Sequence, residues 1–242
     1  MGLGGEDEDL GREIYTSGQY QIDTPSWHVE DSPWKAEKIL MMLRRNSIIP
    51  RTICEVGCGA GEILYQLQIK MDDKCEFWGY ELSPYAFSLC QKKGNNRLHF
   101  FLQDILELEV RSGFFDLMLL IDLIEHIENY MDFLRKIKKS ATYMLFHIPL
   151  ELSIDSVLRN KLFEHRMRVG HLHYFNREIA LHALQDAGFS VMDHFYTFGS
   201  AALPAKSAKA RLGRVLRKMF TAVSEDFAAR TAGGAGLMVL AR

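Results

Sequence analysis

Glu55-Val56-Gly57-Cys58-Gly59-Ala60-Gly61 constrains what this chain can fold into more than any other stretch. It follows the apolar pair Ile53-Cys54 and precedes a helical pattern that starts near Ile63. Strand, glycine-rich turn and helix start come in that order, a layout that brings bare backbone close to a nucleotide-bearing ligand. A dinucleotide fingerprint would place its third glycine at 62, where this chain has Glu62. The glycines fall instead at 57, 59 and 61, with the Glu55 carboxylate two residues ahead of the first. An acidic loop suits a ligand with cationic groups, whereas a phosphate site would want basic groups and free amides.

The rest of the chain reads as strands alternating with helices, which predicts a parallel sheet covered on both faces. Ser32-Pro33 reads as a helix N-cap with proline in the first turn. Strands are expected at Cys75–Glu81, Leu98–Gln103, Phe115–Ile121, Thr142–Ile148, Phe189–Phe198 and Leu237–Ala241. Helices are expected from Ile63 to Met71, from Ser83-Pro84 to about Lys93, near Tyr130–Lys139, and from Asn176 to Ala187. With no internal repeat or low-complexity linker, residues 1–242 form a single expected domain, with insertions at 149–175 and 201–234. Residues 1–46 make an N-terminal segment and helix. Its aromatic part, Tyr20 to Trp34 with Trp27, His28 and Trp34, is a candidate lid or an edge cover.

Composition narrows the class. A net charge of -2 exerts no overall pull on nucleic acid or anionic lipid. Cys54, Cys58, Cys75 and Cys90 show neither CxxC spacing nor a disulfide-dense pattern, so reduced thiols and a cytoplasmic location are expected. The longest apolar stretch, Phe114 to Ile124, is broken by Asp116 and Asp122 and is too short to span a bilayer; the N-terminus has no signal-peptide layout.

The glycine spacing behind Glu55 resembles the first motif of class I S-adenosylmethionine-dependent methyltransferases, and the resemblance runs over about residues 50 to 198. It is nearest to the small-molecule branch containing ubiquinone- and sugar-pathway enzymes, marked by Asp122-Leu-Ile-Glu125-His126-Ile127. It implies an α/β, Rossmann-like, seven-stranded and mostly parallel sheet with helices on both faces. It also implies S-adenosyl-L-methionine as cofactor, held by Glu55, Gly57, Gly59, Gly61, Glu81, Leu82, Asp104, Ile105 and Asp122. Ligands of open parallel sheets sit beyond the carboxyl ends of the strands. Glu81 ends the second strand, where a carboxylate can accept both ribose hydroxyls. Asp104 ends the third, where the family places an acid near the adenine amino group, and Asp122 ends the fourth. The plainer reading makes each acid a cap for the following helix, and Leu82 and Ile105 ordinary core.

Methyl transfer from a sulfonium is an in-line displacement, and a hydroxyl acceptor must also lose its proton. The candidate proton acceptors are His126, His147 and His171, the last paired with His173 in Gly170-His171-Leu172-His173. Some relatives, among ubiquinone O-methyltransferases and enzymes acting on small-RNA 3′ ends, bind a divalent metal through Glu-x-x-Glu-His. The corresponding set here is Asp122, Glu125, His126 and His171, with the first three on one face if a helix begins at Asp122. Asp122 departs from the glutamate of those relatives and shortens the reach. The bland alternative packs His126 in a helix and gives Asp122 to the cofactor.

The basic stretch with Lys206, Lys209, Arg211, Arg214, Arg217 and Lys218 is first a solvated helix face. Its functional version (206–218) docks an acidic substrate or touches an anionic membrane surface. The expected activity is methylation of a small molecule, at the oxygen of a hydroxylated, sugar- or quinone-like acceptor. The alternatives are a metal-assisted RNA 2′-O-methyltransferase and a non-catalytic cofactor-binding module. Nucleic acid is disfavoured as a partner because 206–218 is the one positive surface. The oligomeric state stays open. Amino methylation would want an Asn/Asp-Pro-Pro-aromatic turn after the fourth strand, which Asp122-Leu-Ile-Glu125 is not.

Overall fold

The computed structural model describes residues 26–27, 29–108, 113–198 and 221–242. The basic stretch 206–218, His28 and residues 20–25 of the candidate lid therefore lie outside the described residues. The strands are β1 (Thr52–Val56), β2 (Glu76–Glu81), β3 (Leu98–Leu102), β4 (Phe115–Ile121), β5 (Ala141–Leu150), β6 (Val191–Thr197) and β7 (Ala235–Ala241). They form one seven-stranded sheet in the order β3-β2-β1-β4-β5-β7-β6. β1 to β5 run parallel, and β7 runs antiparallel between β5 and β6. The mostly parallel α/β expectation holds.

The centre of the sheet is apolar on both faces because both faces are covered. Along β4, Leu117, Leu119 and Ile121 point into one core cluster while Met118 and Leu120 point into the other. Helix α1 (Ser32–Arg45) and helix α2 (Glu62–Lys70) close the first face through Ile39, Met42, Leu64 and Leu67. Helix α3 (Pro84–Cys90) adds Cys90 to it. Helix α4 (Tyr130–Ile137) and helix α7 (Arg177–Asp186) close the second through Phe133, Leu134, Ala180 and Leu184. Several helix starts are set by side-chain caps, Ser83 on Ala86 N, Asn129 on Asp132 N and Asn176 on Ile179 N, each typically worth about 1 kcal/mol.

Of the boundaries that differ from the sequence reading, three bear on the site. Ser32 is the first helical residue of α1; Asp31 holds the cap position without a side-chain cap bond. β5 runs past Ile148 through Pro149 to Leu150, because β7 pairs Pro149 with Gly236 and Leu150 with Ala235. Proline and glycine read as strand breakers, yet a partner strand absorbs both. The 149–175 insertion is partly helical, with α5 (Ile154–Leu158) and α6 (Lys161–Val169), and α8 (Glu225–Ala232) precedes β7. Among the described residues no helix is long and apolar enough to cross a membrane.

Candidate active site

With β2 on one side of β1 and β4 on the other, strand order reverses at β1, the place where open α/β sheets leave a crevice. The glycine loop leaves β1 there. Gly57, Gly59 and Gly61 have φ of +68°, +53° and +70°, a left-handed backbone that side chains with a Cβ rarely adopt. Space adds to the constraint: a Cβ on Gly61 would lie 2.5 Å from Phe100 Cζ and one on Gly57 2.9 Å from Leu123 Cδ1. The loop is tied to the next strand by Gly57 N and Cys58 N donating to Tyr80 O at 2.8 and 3.1 Å.

A cleft of about 1110 Å³ opens over this loop. Glu55, Gly57, Gly59, Glu81, Leu82, Asp104, Ile105 and Asp122 all line it, as do His126, His147 and His171 farther along. Trp27 and Trp34, from the N-terminal segment, also line it. Among the described residues eleven carboxylate side chains and three Lys or Arg line this space, so their field favours a cationic ligand over a polyphosphate.

Two carboxylates at the loop have distinct jobs. Glu55 is 2% exposed, and its Oε2 has no hydrogen-bond partner among the described residues. Burial pushes its carboxyl well above the usual range, against the pull of Lys35. A buried acceptor of this kind is completed by a cationic donor. Glu81 is already engaged: Gly59 N donates to Oε2 at 2.7 Å, and Leu82 N and Ser83 N donate to Oε1 at 2.9 and 2.8 Å. Burial raises its pKa, and these three N–H groups offset part of the rise. A carboxylate has about four lone-pair positions, so Glu81 holds the loop first and has room for about one further hydroxyl. Asp104 accepts from Leu106 N at 2.9 Å at the strand end.

The condition that would have set Asp122, Glu125 and His126 on one helix face is not met. Asp122 has φ +50°, and only a short 3-10 turn follows at Ile124–His126. Asp122 Oδ2 pairs with Lys35 Nζ at 2.7 Å and Oδ1 with His147 Nδ1 at 2.5 Å. Burial alone would raise its pKa, but Lys35 and His147 outweigh it and hold the carboxyl well below the usual range. Burial likewise works against Lys35, yet Asp122, Asp31 and Glu55 leave its pKa raised. His147 Nε2 meets Thr197 Oγ1 at 2.8 Å. Both ring nitrogens of His147 are therefore occupied, which removes it from the proton acceptors. Asp122 is likewise removed from the metal-ligand set.

The other three members of that set do come together. One ligand atom each from Glu125, His126 and His171 lies within 4.8 Å of the others. Glu125 is fully buried; neither carboxylate oxygen has a hydrogen-bond partner among the described residues, and Oε1 lies 3.9 Å from His126 Nε2. Burial, then the Asp122 charge, push its carboxyl well above the usual range. His126 is pushed down to about 3 by burial and by neighbouring His171, which makes it a weak base. The donor set expected for a metal does not assemble as four. His173 turns away, its Nε2 3.0 Å from both Ile127 O and Glu128 O.

His171 has a better partner that the sequence reading missed. Glu151 Oε2 lies 2.7 Å from His171 Nδ1, and Oε1 lies 2.5 Å from His165 Nδ1. Burial would raise Glu151, but the two imidazoles bring its carboxyl down to about 2. Glu151 directly follows β5, as Asp104 and Asp122 follow their strands. Ending that strand at Ile148 hid the signal. Lys35 was missed because a lysine in an amphipathic helix reads as solvated, although it lies four residues before Ile39 on the buried face of α1.

Fold and cleft together define an α/β protein with a switch-point cleft whose lining favours positive charge. The methyltransferase-domain family matches residues 32–194, and the chain belongs to that family. Ajmaline N-methyltransferase of Rauvolfia serpentina is 29% identical over 114 residues, which is 43% of this chain and 38% of that protein. The chain thus spans well under half the length of that curated relative. Among solved structures, magnesium protoporphyrin IX methyltransferase of Synechocystis PCC 6803, with bound S-adenosylhomocysteine, superposes with a TM-score of 0.61 at 14% identity, covering 97% of this chain and 100% of that one. A chain from the Haloferax volcanii complex of the Trm112 methyltransferase activator with a methyltransferase gives 0.65 at 15% identity, covering 96% of each. Both show the fold.

Proposed function

We propose that this domain methylates a hydroxyl oxygen of a small molecule with S-adenosylmethionine as donor, and that His171 removes the hydroxyl proton. The observation that carries the reading is the His171–Glu151 pair in a cleft that begins at the glycine loop. Bound there, the donor supplies an electrophilic methyl group on a sulfonium. Glu55 offers its unpartnered Oε2 to the donor's ammonium, Glu81 its remaining acceptor position to a ribose hydroxyl, and Asp104 its carboxylate to the adenine amino group. Leu82 and Ile105 flank the adenine.

On the acceptor side, Glu151 accepts the Nδ1–H hydrogen bond of His171 and so leaves Nε2 as the basic nitrogen. An aliphatic hydroxyl is a weak nucleophile until its proton moves to such a base, and positioned proton transfer contributes about 10²–10⁴-fold. Glu151 is a positioning residue: it fixes the ring and compensates the imidazolium formed. His165, on the other carboxylate oxygen, holds Glu151 in place.

The test is product analysis with panels of small alcohols, phenols and amines. Methyl ethers from wild type, a His171→Ala loss of about 10²–10⁴-fold in kcat and unchanged donor affinity are expected. N-methyl products alone, or full turnover by His171→Ala, would overturn the reading.

A further inference from the structure

The helix pair inserted after β5 is turned inside out. Among the described residues, α5 buries only Ser156 and α6 buries none. What lines the cleft from these helices is mostly polar, including Ser156, Lys161, Glu164 and His165. The apolar side chains point the other way: Ile154 and Val157 are each 57% exposed, Leu158 79%, Phe163 57% and Met167 64%. A helix packed on a domain only for stability has the opposite distribution.

The exposure follows a pattern. Ile154, Val157 and Leu158 stand three and four residues apart, as do Phe163 and Met167 at four, so each set shares a helix face. Helix α8 packs on α5 and leaves Phe227 50% exposed as well. Exposed apolar surface gathered in this way marks an interaction site. The charged side chains of these helices that do not line the cleft are Arg159 and Arg166 against Asp155, which pairs with Arg159 at 3.3 Å, so the face carries one surplus positive charge in a chain of net charge -2. A two-fold contact between copies of this face would gain nothing from that charge. An anionic bilayer satisfies both properties at once.

We propose that α5 and α6 dock the protein on an anionic phospholipid bilayer, with Leu158, Phe163 and Met167 entering the acyl boundary and Arg159 and Arg166 meeting headgroup phosphates. Because the same two helices wall the acceptor end of the cleft, the acceptor class that fits is a hydroxylated amphiphile drawn from the membrane. That last step rests on the acceptor reading above; the docking itself does not.

The experiment is co-sedimentation of the full chain with vesicles of mixed phosphatidylglycerol and phosphatidylcholine, beside phosphatidylcholine alone. No methyl acceptor is present, so failure of docking and failure of the acceptor reading are separable. Wild type is expected to bind the anionic vesicles at least about tenfold more tightly than the neutral ones, and less tightly as salt rises. The double variant Leu158→Glu/Phe163→Glu should lose at least about tenfold in partitioning while keeping donor affinity and Tm. Three results would overturn the proposal. They are no binding of wild type to anionic vesicles, binding that the double variant leaves intact, and self-association without lipid that the double variant abolishes. The second would place any membrane contact on the 206–218 stretch instead.

Discussion

The two ends of the cleft are built from different materials. The end proposed for the donor is backbone and short-range geometry: three glycines in left-handed conformation, and one carboxylate taking three N–H groups. The end proposed for the acceptor is side chains brought from far apart, with Glu125 after β4, Glu151 after β5, His165 on α6 and His171 beyond it. The difference teaches that one end is set by backbone within a few residues of a single loop, whereas the other is assembled by long-range packing that includes the inserted helices.

Substitutions at the two ends should therefore fail in different ways. Gly57→Val forces a β-branched residue to φ +68° against Leu123. Left-handed backbone costs about 1–2 kcal/mol for a residue with a Cβ, so donor affinity should fall at least about tenfold in calorimetric titration. Equal affinity would break the comparison at its donor end.

Glu151→Gln acts on the other end and carries a pH signature. The carboxyl is held down to about 2 in the fold, below its ordinary 4.5, so its stabilising contribution is present above pH 4.5 and lost as pH falls toward 2. The variant should lie below wild type in Tm at neutral pH and converge with it near pH 2. It should also lower kcat more than KM while donor affinity holds. A pH-independent gap in Tm would show that the glutamate acts by shape and not by charge.

Glu55→Gln has the smallest expected effect and the opposite sign in stability. Burial raises the Glu55 carboxyl, so the fold loses stability as pH rises through its ordinary range toward the raised value. Replacing the ionisable carboxyl should raise Tm of the donor-free protein at pH 7 and weaken donor binding. A lower Tm would mean that Lys35 already compensates Glu55 fully.

The same contrast explains what was legible in the sequence. β4, spanning Phe115–Ile121, was readable to the residue because a strand buried on both faces is apolar throughout. The glycine loop was readable because left-handed backbone and close approach demand glycine at fixed spacing. Glu81, Asp104 and Asp122 were readable as acids at strand ends, but not what each would touch. Asp122 was assigned to the cofactor and, alternatively, to a metal, whereas its side-chain partners are His147 and Lys35, the latter 87 positions earlier in the chain. Histidines were countable and their partners were not: His147 and His171 look alike in sequence, and only packing shows one with both nitrogens occupied and the other poised against Glu151. The end of β5 was misplaced because Pro149 finds its partner in Gly236, a pairing no local rule anticipates.

The left-handed Asp122 carries one more consequence. Its backbone is strained for a residue other than glycine, and it is clamped between a lysine of α1 and a histidine of β5. Trimming the protein back to its first strand would take away the clamp's positive jaw and leave the kink to relax. Helix α1 thus supports the floor of the cleft from outside the glycine motif, and a version of this domain that begins at that motif should lose the support.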